Sequence, residues 1–160
     1  MVKYAHGMTA EEVFDQLLEV SLLFQADLNR SLVALGLTVT KTHLLWEVHR
    51  RGPCAQQRLA EALDVSPRHV TGLVDALESE GFARRRPHPQ DRRALLVELT
   101  DKGAATVAQM QQQRSTDARA LVDGLDAGTV DVLRSSLDTI LVRLRRLVAD
   151  SGSPDAGGDR

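Results

Sequence analysis

The sequence predicts a mostly α-helical protein with one small β-hairpin, arranged as a winged helix-turn-helix domain flanked by further helices. Apolar residues recur at three- and four-residue steps through most of the chain, which is the spacing of amphipathic helices. A short helical pattern that ends at Gly81 is followed directly by an arginine-rich hairpin around Pro87 and Pro89. Aromatic residues make up only 3% of the chain, so the core must be built from Leu, Val and Ala.

The first two helices are predicted from local start and stop signals. Thr9 and Glu12 have the spacing of a capping box, so a helix begins there and continues to Gly36, which ends it. Thr38 then caps a second helix, which ends near Gly52.

The next two helices form the predicted helix-turn-helix. A short third helix covers about residues 55–63, and Ser66 caps a fourth helix that has Pro67 at its first position. The fourth helix directs four apolar residues inward: Val70, Leu73, Val74 and Leu77. The hairpin follows Gly81, and its second strand is the apolar run at residues 94–99.

Two more helices complete the predicted fold. Thr100 caps a long fifth helix to about Val122, and Asp126 caps a last helix to about Ala149. Residues 150–160 are rich in Gly, Ser, Pro and Asp, so we expect a disordered tail.

The fourth helix carries the first candidate site. A helix fits the major groove of DNA, and its first two turns hold the side chains that reach base edges. With the apolar face turned inward, the opposite face presents six residues: Ser66, Arg68, His69, Thr71, Gly72 and Asp75. Arg68 has the two donors that guanine accepts, and Gly72 allows close approach of a backbone. The alternative interpretation is that these are ordinary solvated residues of a surface helix.

The hairpin, or wing, carries the second candidate site. Residues 84–93 contain five arginines and one acid. A guanidinium is attracted by the negative potential of a narrow minor groove. Asp91 is close enough in sequence to Arg92 and Arg93 to hold one of them through a charge-assisted ion pair. Arg84 and Arg86 alternate along the first strand with a third arginine, so we expect only one or two strand arginines to contact phosphate. The alternative is a solvated run of charges.

These segments also resemble the MarR family of bacterial transcriptional regulators over about residues 37–103. The resemblance lies in the wing motifs Gly81-Phe82-Ala83-Arg84-Arg85, His88-Pro89-Gln90-Asp91-Arg92-Arg93 and Val97-Glu98-Leu99-Thr100-Asp101-Lys102-Gly103, preceded in the same order by Leu37-Thr38, Gly52-Pro53, Leu59-Ala60 and Val65-Ser66. It implies that Arg93 is inserted into the minor groove and that Asp91 braces it. It also implies a homodimer, and release from DNA by a small phenolic or anionic compound or by an oxidant.

The domain organisation that we expect has four segments. Residues 1–36 form an arm and a dimerisation helix, 37–103 the winged domain, 104–149 the C-terminal dimerisation helices, and 150–160 the disordered tail. The terminal helices have apolar stripes that must pack together or against a partner. The favoured interpretation is a homodimer; the alternative is a monomer whose terminal helices cover the winged domain.

The effector site is less defined by the sequence. His43, Trp46 and His49 on the second helix lie near the place where the family resemblance puts an effector, although partial packing of Trp46 and exposed histidines are the simpler interpretation. Cys54 is the single cysteine, so no disulfide within the chain is possible. A redox switch through Cys54 is an alternative that its expected packing role disfavours.

The composition and motifs exclude several classes of protein. We expect neither a signal peptide nor a membrane span, because the first 30 residues are acidic and no long apolar run is present, and we therefore expect a cytoplasmic protein. The histidines are scattered, and we expect no metal and no cofactor. No nucleophile with its base is recognisable, so an enzyme is not expected.

The sequence therefore predicts a sequence-specific DNA-binding regulator, and we expect a repressor that binds a pseudo-palindromic operator as a homodimer. The alternative is a winged-helix adaptor that binds proteins without DNA. The arginine-rich wing favours DNA over the adaptor, although the net charge of −2 alone would not.

Overall fold

The computed structural model describes residues 9–90 and 94–151, and this part of the chain contains six helices and three short strands. The helices are α1 (Ala10–Ala34), α2 (Val39–Arg51), α3 (Gln56–Leu63), α4 (Pro67–Ser79), α5 (Asp101–Val122) and α6 (Ala127–Ser151). The strands are β1 (Cys54–Ala55), β2 (Ala83–Pro87) and β3 (Leu95–Leu99). The predicted class, mostly helical with a small β-wing, is confirmed. The arm and the tail lie largely outside the described residues.

The predicted caps begin the helices because their side-chain oxygens accept hydrogen bonds from backbone N–H groups three residues later. Thr9 accepts from the N–H of Glu12 at 3.2 Å, Thr38 from that of Lys41 at 3.3 Å, Ser66 from that of His69 at 3.2 Å, Thr100 from that of Gly103 at 3.1 Å and Asp126 from that of Thr129 at 3.0 Å. Each satisfies a donor that the helix itself leaves unpaired.

The sheet is antiparallel, with strand order β1-β3-β2. Strand β1 corrects the sequence prediction, which began the third helix at about Ala55. Cys54 and Ala55 instead form a strand that pairs with Val97 and Leu96 of β3. Two residues are too few for a recognisable pattern, and their partner lies about forty positions along the chain, so only the tertiary pairing defines this strand.

The core of the winged domain is formed by α2, α3, α4 and the sheet. Its fully buried side chains include Leu44, Leu45, Leu59, Val70, Val74, Leu77 and Val97. The predicted inward face of α4 is therefore confirmed, with Leu73 partly buried against the same cluster. Leu32 from α1 and Val107 from α5 join this core.

The C-terminal end of α4 is held against the N-terminal end of α5. The hydroxyl of Thr100 donates to the carbonyl of Gly81 at 2.7 Å, and Nζ of Lys102 donates to the carbonyl of Glu80 at 2.7 Å. A Cβ atom at Gly103 would lie 2.0 Å from the carbonyl oxygen of Phe82, so no larger residue fits there without a backbone shift. Residues 100–103 thus fix where α4 ends.

The chain divides into two units, Met1–Met110 and Gln111–Arg160. Most of α1 in the first unit is exposed, including Phe14, Leu22 and Phe24. In the second unit, α6 has no buried residue among those described. Within residues 9–90 and 94–151, no helix combines the length and apolar character needed to cross a membrane.

Candidate nucleic-acid interface

The N-terminal half of α4 presents an exposed polar surface. All six residues that the sequence predicted on this face are exposed, namely Ser66, Arg68, His69, Thr71, Gly72 and Asp75. Four of them, Ser66, Arg68, His69 and Gly72, line an open depression together with Leu73. Because the apolar side of α4 is buried in the core, the exposed face of α4 is the one that the spacing of its apolar residues predicted. The N-terminal N–H groups of α4 add a partial positive charge at the same end.

Arg68 and Thr71 differ in what they already contact. Arg68 has no carboxylate partner among the described residues, so its donors are available to a ligand. Thr71 is engaged: its hydroxyl donates to the carbonyl of Pro67 at 3.0 Å and lies 3.0 Å from the side-chain amide of Gln56. Its contact with Gln56 was not predicted from the sequence.

Arg84 and Arg86 of β2 share one carboxylate. Nε of Arg84 lies 2.7 Å from Oε1 of Glu98, and Nε of Arg86 lies 2.6 Å from Oε2. The Arg86 contact is an ion pair without the alignment of a hydrogen bond. Two guanidinium groups against one carboxylate leave one net positive charge. The sequence did not reveal Glu98 as their partner, because the pairing depends on the register that places it opposite Arg84.

Arg85, between them, faces the other way. Its guanidinium lies 2.6 Å from Oδ1 of Asp75 and pairs with the carboxylate of Glu78, both on α4. Burial opposes the charge of Arg85, but the hydrogen bonds to Asp75 and Glu78 outweigh it and raise the pKa of the guanidinium. The alternation expected of a strand therefore separates Arg85 from its two neighbours.

The wing tip is bounded by described residues on both sides. The backbone N–H of His88 donates to the carbonyl of Ala94 at 2.9 Å, which continues the hairpin beyond β2 and β3. Asp91, Arg92 and Arg93, to which the sequence assigned the minor-groove contact, lie outside the described residues. Their roles remain predictions.

The three candidate effector residues of α2 have different surroundings. Trp46 is partly buried against the core, and its ring meets that of His49 edge-on at a centroid distance of 6.2 Å. His43 is exposed. The position of Trp46 agrees with a packing role. In the described part of the chain, no group of three or more His, Cys, Asp or Glu residues could hold a metal ion.

Cys54 lies in β1 and is 7% exposed. Burial raises the pKa of its thiol, which disfavours the thiolate that an oxidation sensor requires. Its pairing with Val97 gives it an ordinary packing position in the sheet. The structure thus supplies no support for the redox alternative.

Comparison with known proteins identifies the family of this chain. A profile of the MarR family matches residues 37–95. The chain is 33% identical over 115 residues to the multiple antibiotic resistance protein MarR of Salmonella typhimurium, covering 71% of this chain and 80% of that protein. It is 27% identical over 138 residues to the HTH-type transcriptional repressor YetL of Bacillus subtilis, covering 83% of this chain and 81% of that one.

A solved structure agrees with these sequence matches. The crystal structure of the S. aureus MepR–DNA complex has the same fold, with a TM-score of 0.71 and 22% identity over 79% of this chain and 95% of that one. Members of the matching family are transcriptional regulators and not enzymes. This chain belongs to the MarR family of transcriptional regulators.

Proposed function

We propose that this regulator is a homodimeric repressor that binds a pseudo-palindromic DNA operator in a sequence-specific way. The observation that carries the proposal is the exposed polar surface of α4, which stands on a fully buried apolar face beside an arginine-rich strand. A helix fits the major groove, where Arg68 and the polar side chains of this surface can contact base edges.

The proposed DNA contacts divide into two groups. On α4, Arg68 reads a guanine, Ser66, His69 and Thr71 contact bases or phosphates, and Gly72 permits close approach. On the wing, Arg84 and Arg86 contact phosphate, and Arg93 enters the minor groove with Asp91 as its brace and Arg92 beside it. Contacts of the first group set the preferred sequence, whereas phosphate contacts set affinity.

The proposed dimer uses the helices outside the winged domain, in residues 1–36 and 104–149. Their apolar side chains support it, because exposures such as 57% for Phe14 and 63% for Leu147 are unfavourable in water. Two copies related by a twofold axis would place their α4 helices about 34 Å apart, or a multiple of that distance, on one side of the DNA.

Repression and release by an effector are inferred from the relatives of this chain. The name of the Bacillus relative supports a repressor, and the MepR complex shows that the fold can bind DNA. Release by a small phenolic or anionic compound follows from the family resemblance, with His43, Trp46 and His49 as candidate contacts. The packing of Trp46 favours a structural role for that residue.

The test is binding of the purified protein to a fluorescent duplex that is either taken from upstream of its own gene or selected from random DNA. Binding is measured across a salt series with random duplex as competitor. We expect competitor-resistant binding that weakens steeply with salt, since released counterions drive phosphate contacts. If no duplex binds even at low salt, the adaptor interpretation replaces this one.

A further inference from the structure

Arg85 joins three elements of the winged domain from the inner side of β2. Its backbone N–H donates to Oε1 of Glu78 at 2.6 Å, and its guanidinium pairs with both Glu78 and Asp75 on α4. The side chain is 19% exposed, against 65% for Arg84. A guanidinium held in this way is directed to α4, so it is not available as a phosphate contact.

Gln56, at the start of α3, extends this contact to Thr71. A guanidinium has only donors, and the hydroxyl hydrogen of Thr71 is already directed to Pro67. The amide oxygen of Gln56 must therefore face Arg85, 2.9 Å from Nε, while its amide nitrogen donates to Oγ1 of Thr71 at 3.0 Å. Hydrogen bonds thus run without interruption from Arg85 through Gln56 to Thr71.

We propose that Arg85 is a positioning residue that sets the sequence preference of α4 without touching DNA. The proposal rests on the DNA-binding function given above. Arg85 holds Asp75 directly and Thr71 through Gln56, and both of these side chains are exposed on the same helix surface as Arg68. Side chains that are held before binding lose less entropy on contact and discriminate better between bases.

Arg85 also balances charge beside the DNA-facing surface. Asp75 and Glu78 would repel phosphate if they were unpaired, and a lost positive charge at position 85 would weaken binding to any DNA sequence. A test of positioning must therefore keep that charge. Lysine keeps it but lacks the planar fork that reaches several acceptors at fixed angles.

The experiment compares Arg85→Lys with its matched control, Arg84→Lys, which changes the adjacent and exposed arginine of the same strand. Affinity is measured for a duplex that the wild-type protein selects from random DNA, and for random duplex, across a salt series. For Arg85→Lys we expect the ratio of the two affinities to fall about tenfold with an unchanged salt slope. For Arg84→Lys the ratio should stay within about twofold of wild type.

Gln56→Leu tests the same network without altering any charge. It should reproduce the loss of preference, and the double variant Gln56→Leu with Arg85→Lys should lose no more than either single variant, since both break one chain of hydrogen bonds. Thermal unfolding of each variant establishes that it is folded. If Arg85→Lys does not fold, Gln56→Leu alone tests the proposal. An unchanged preference of Gln56→Leu for the selected duplex over random duplex would then overturn the proposal.

Three results would overturn the proposal: a wild-type preference in Arg85→Lys, an equal loss in Arg84→Lys, or additive losses in the double variant. A wild-type protein that prefers no duplex would instead overturn the proposed function itself, and the positioning role with it. The two failures are therefore distinguishable.

Discussion

The core of the winged domain (the winged core) and the helix α6 are both rich in leucine and valine. These residues are buried in the core and exposed on α6. Leu44, Leu45 and Leu59 of the core are fully buried. On α6, Leu137 and Leu144 are 39% and 49% exposed, and none of its described residues is buried. The winged core is thus completed by residues of one chain, whereas the apolar surface of α6 remains to be covered. This difference supports the proposed homodimer.

The largest effect is expected in the winged core. Leu45→Ala should lower the free energy of unfolding by about 2–5 kcal/mol, because it removes a fully buried side chain and leaves a cavity. Chemical denaturation measured at low protein concentration checks this. Leu144→Ala on α6 is the matched control, and in the same conditions it should cost much less. Equal losses would remove the distinction between the two regions.

Charge placed on α6 should act on assembly and not on the winged core. Leu141→Glu should weaken the dimer about tenfold or more, since a carboxylate would be buried without a partner in an apolar interface. Sedimentation velocity over a concentration series measures the change. Ser136→Glu, on the same helix but at an already polar position, should leave the dimer nearly intact. A dimer that tolerates Leu141→Glu would exclude this part of α6 from the interface.

The sequence predicted well what depends on neighbouring residues. The caps at Ser66 and Thr100 and the stop at Gly81 are local signals, and each is present in the structure. The phase of α4 followed from Val70 and Val74, so the exposed surface of the helix could be predicted from the spacing of its apolar residues. The contacts of that surface with DNA remain a prediction.

The sequence did not reveal contacts that depend on tertiary register. Glu98 holds both Arg84 and Arg86 only because β2 and β3 pair with Arg84 opposite Glu98. The network from Arg85 to Gln56 joins residues on different elements and has no signal in spacing. Strand β1 was missed for the same reason. Charged residues of a wing can therefore be located from sequence, whereas their partners cannot.

A smaller effect is expected where the winged domain meets DNA. Glu98→Gln should strengthen binding to any duplex on the order of fivefold, because it removes a negative charge near the phosphates and frees two guanidinium groups. Fluorescence anisotropy with specific and random duplexes at fixed salt checks this. The dimer should be unaffected, in contrast to Leu141→Glu. An unchanged affinity would place Arg84 and Arg86 away from the phosphates.

The smallest changes are expected for a substitution at Gly72, which should change the stability of the winged domain and its affinity for DNA in opposite directions. Gly72 lies inside α4 with a φ outside the left-handed region, and a Cβ atom there would have no heavy atom within 4 Å. Gly72→Ala should therefore stabilise the fold by about 0.5–1 kcal/mol, since alanine is the better helix former. The same methyl group would stand where DNA is proposed to approach, so operator affinity should fall about threefold.

Thermal unfolding and operator binding of one Gly72→Ala preparation check both halves of this prediction. Gly103→Ala is the contrasting control, because its Cβ would collide with the carbonyl oxygen of Phe82 and lower stability. A Gly72→Ala protein that is more stable and binds DNA as tightly as wild type would show that the DNA does not approach α4 at this residue. Such a result would shift the proposed contact toward the first turn of α4, where Ser66 and Arg68 lie.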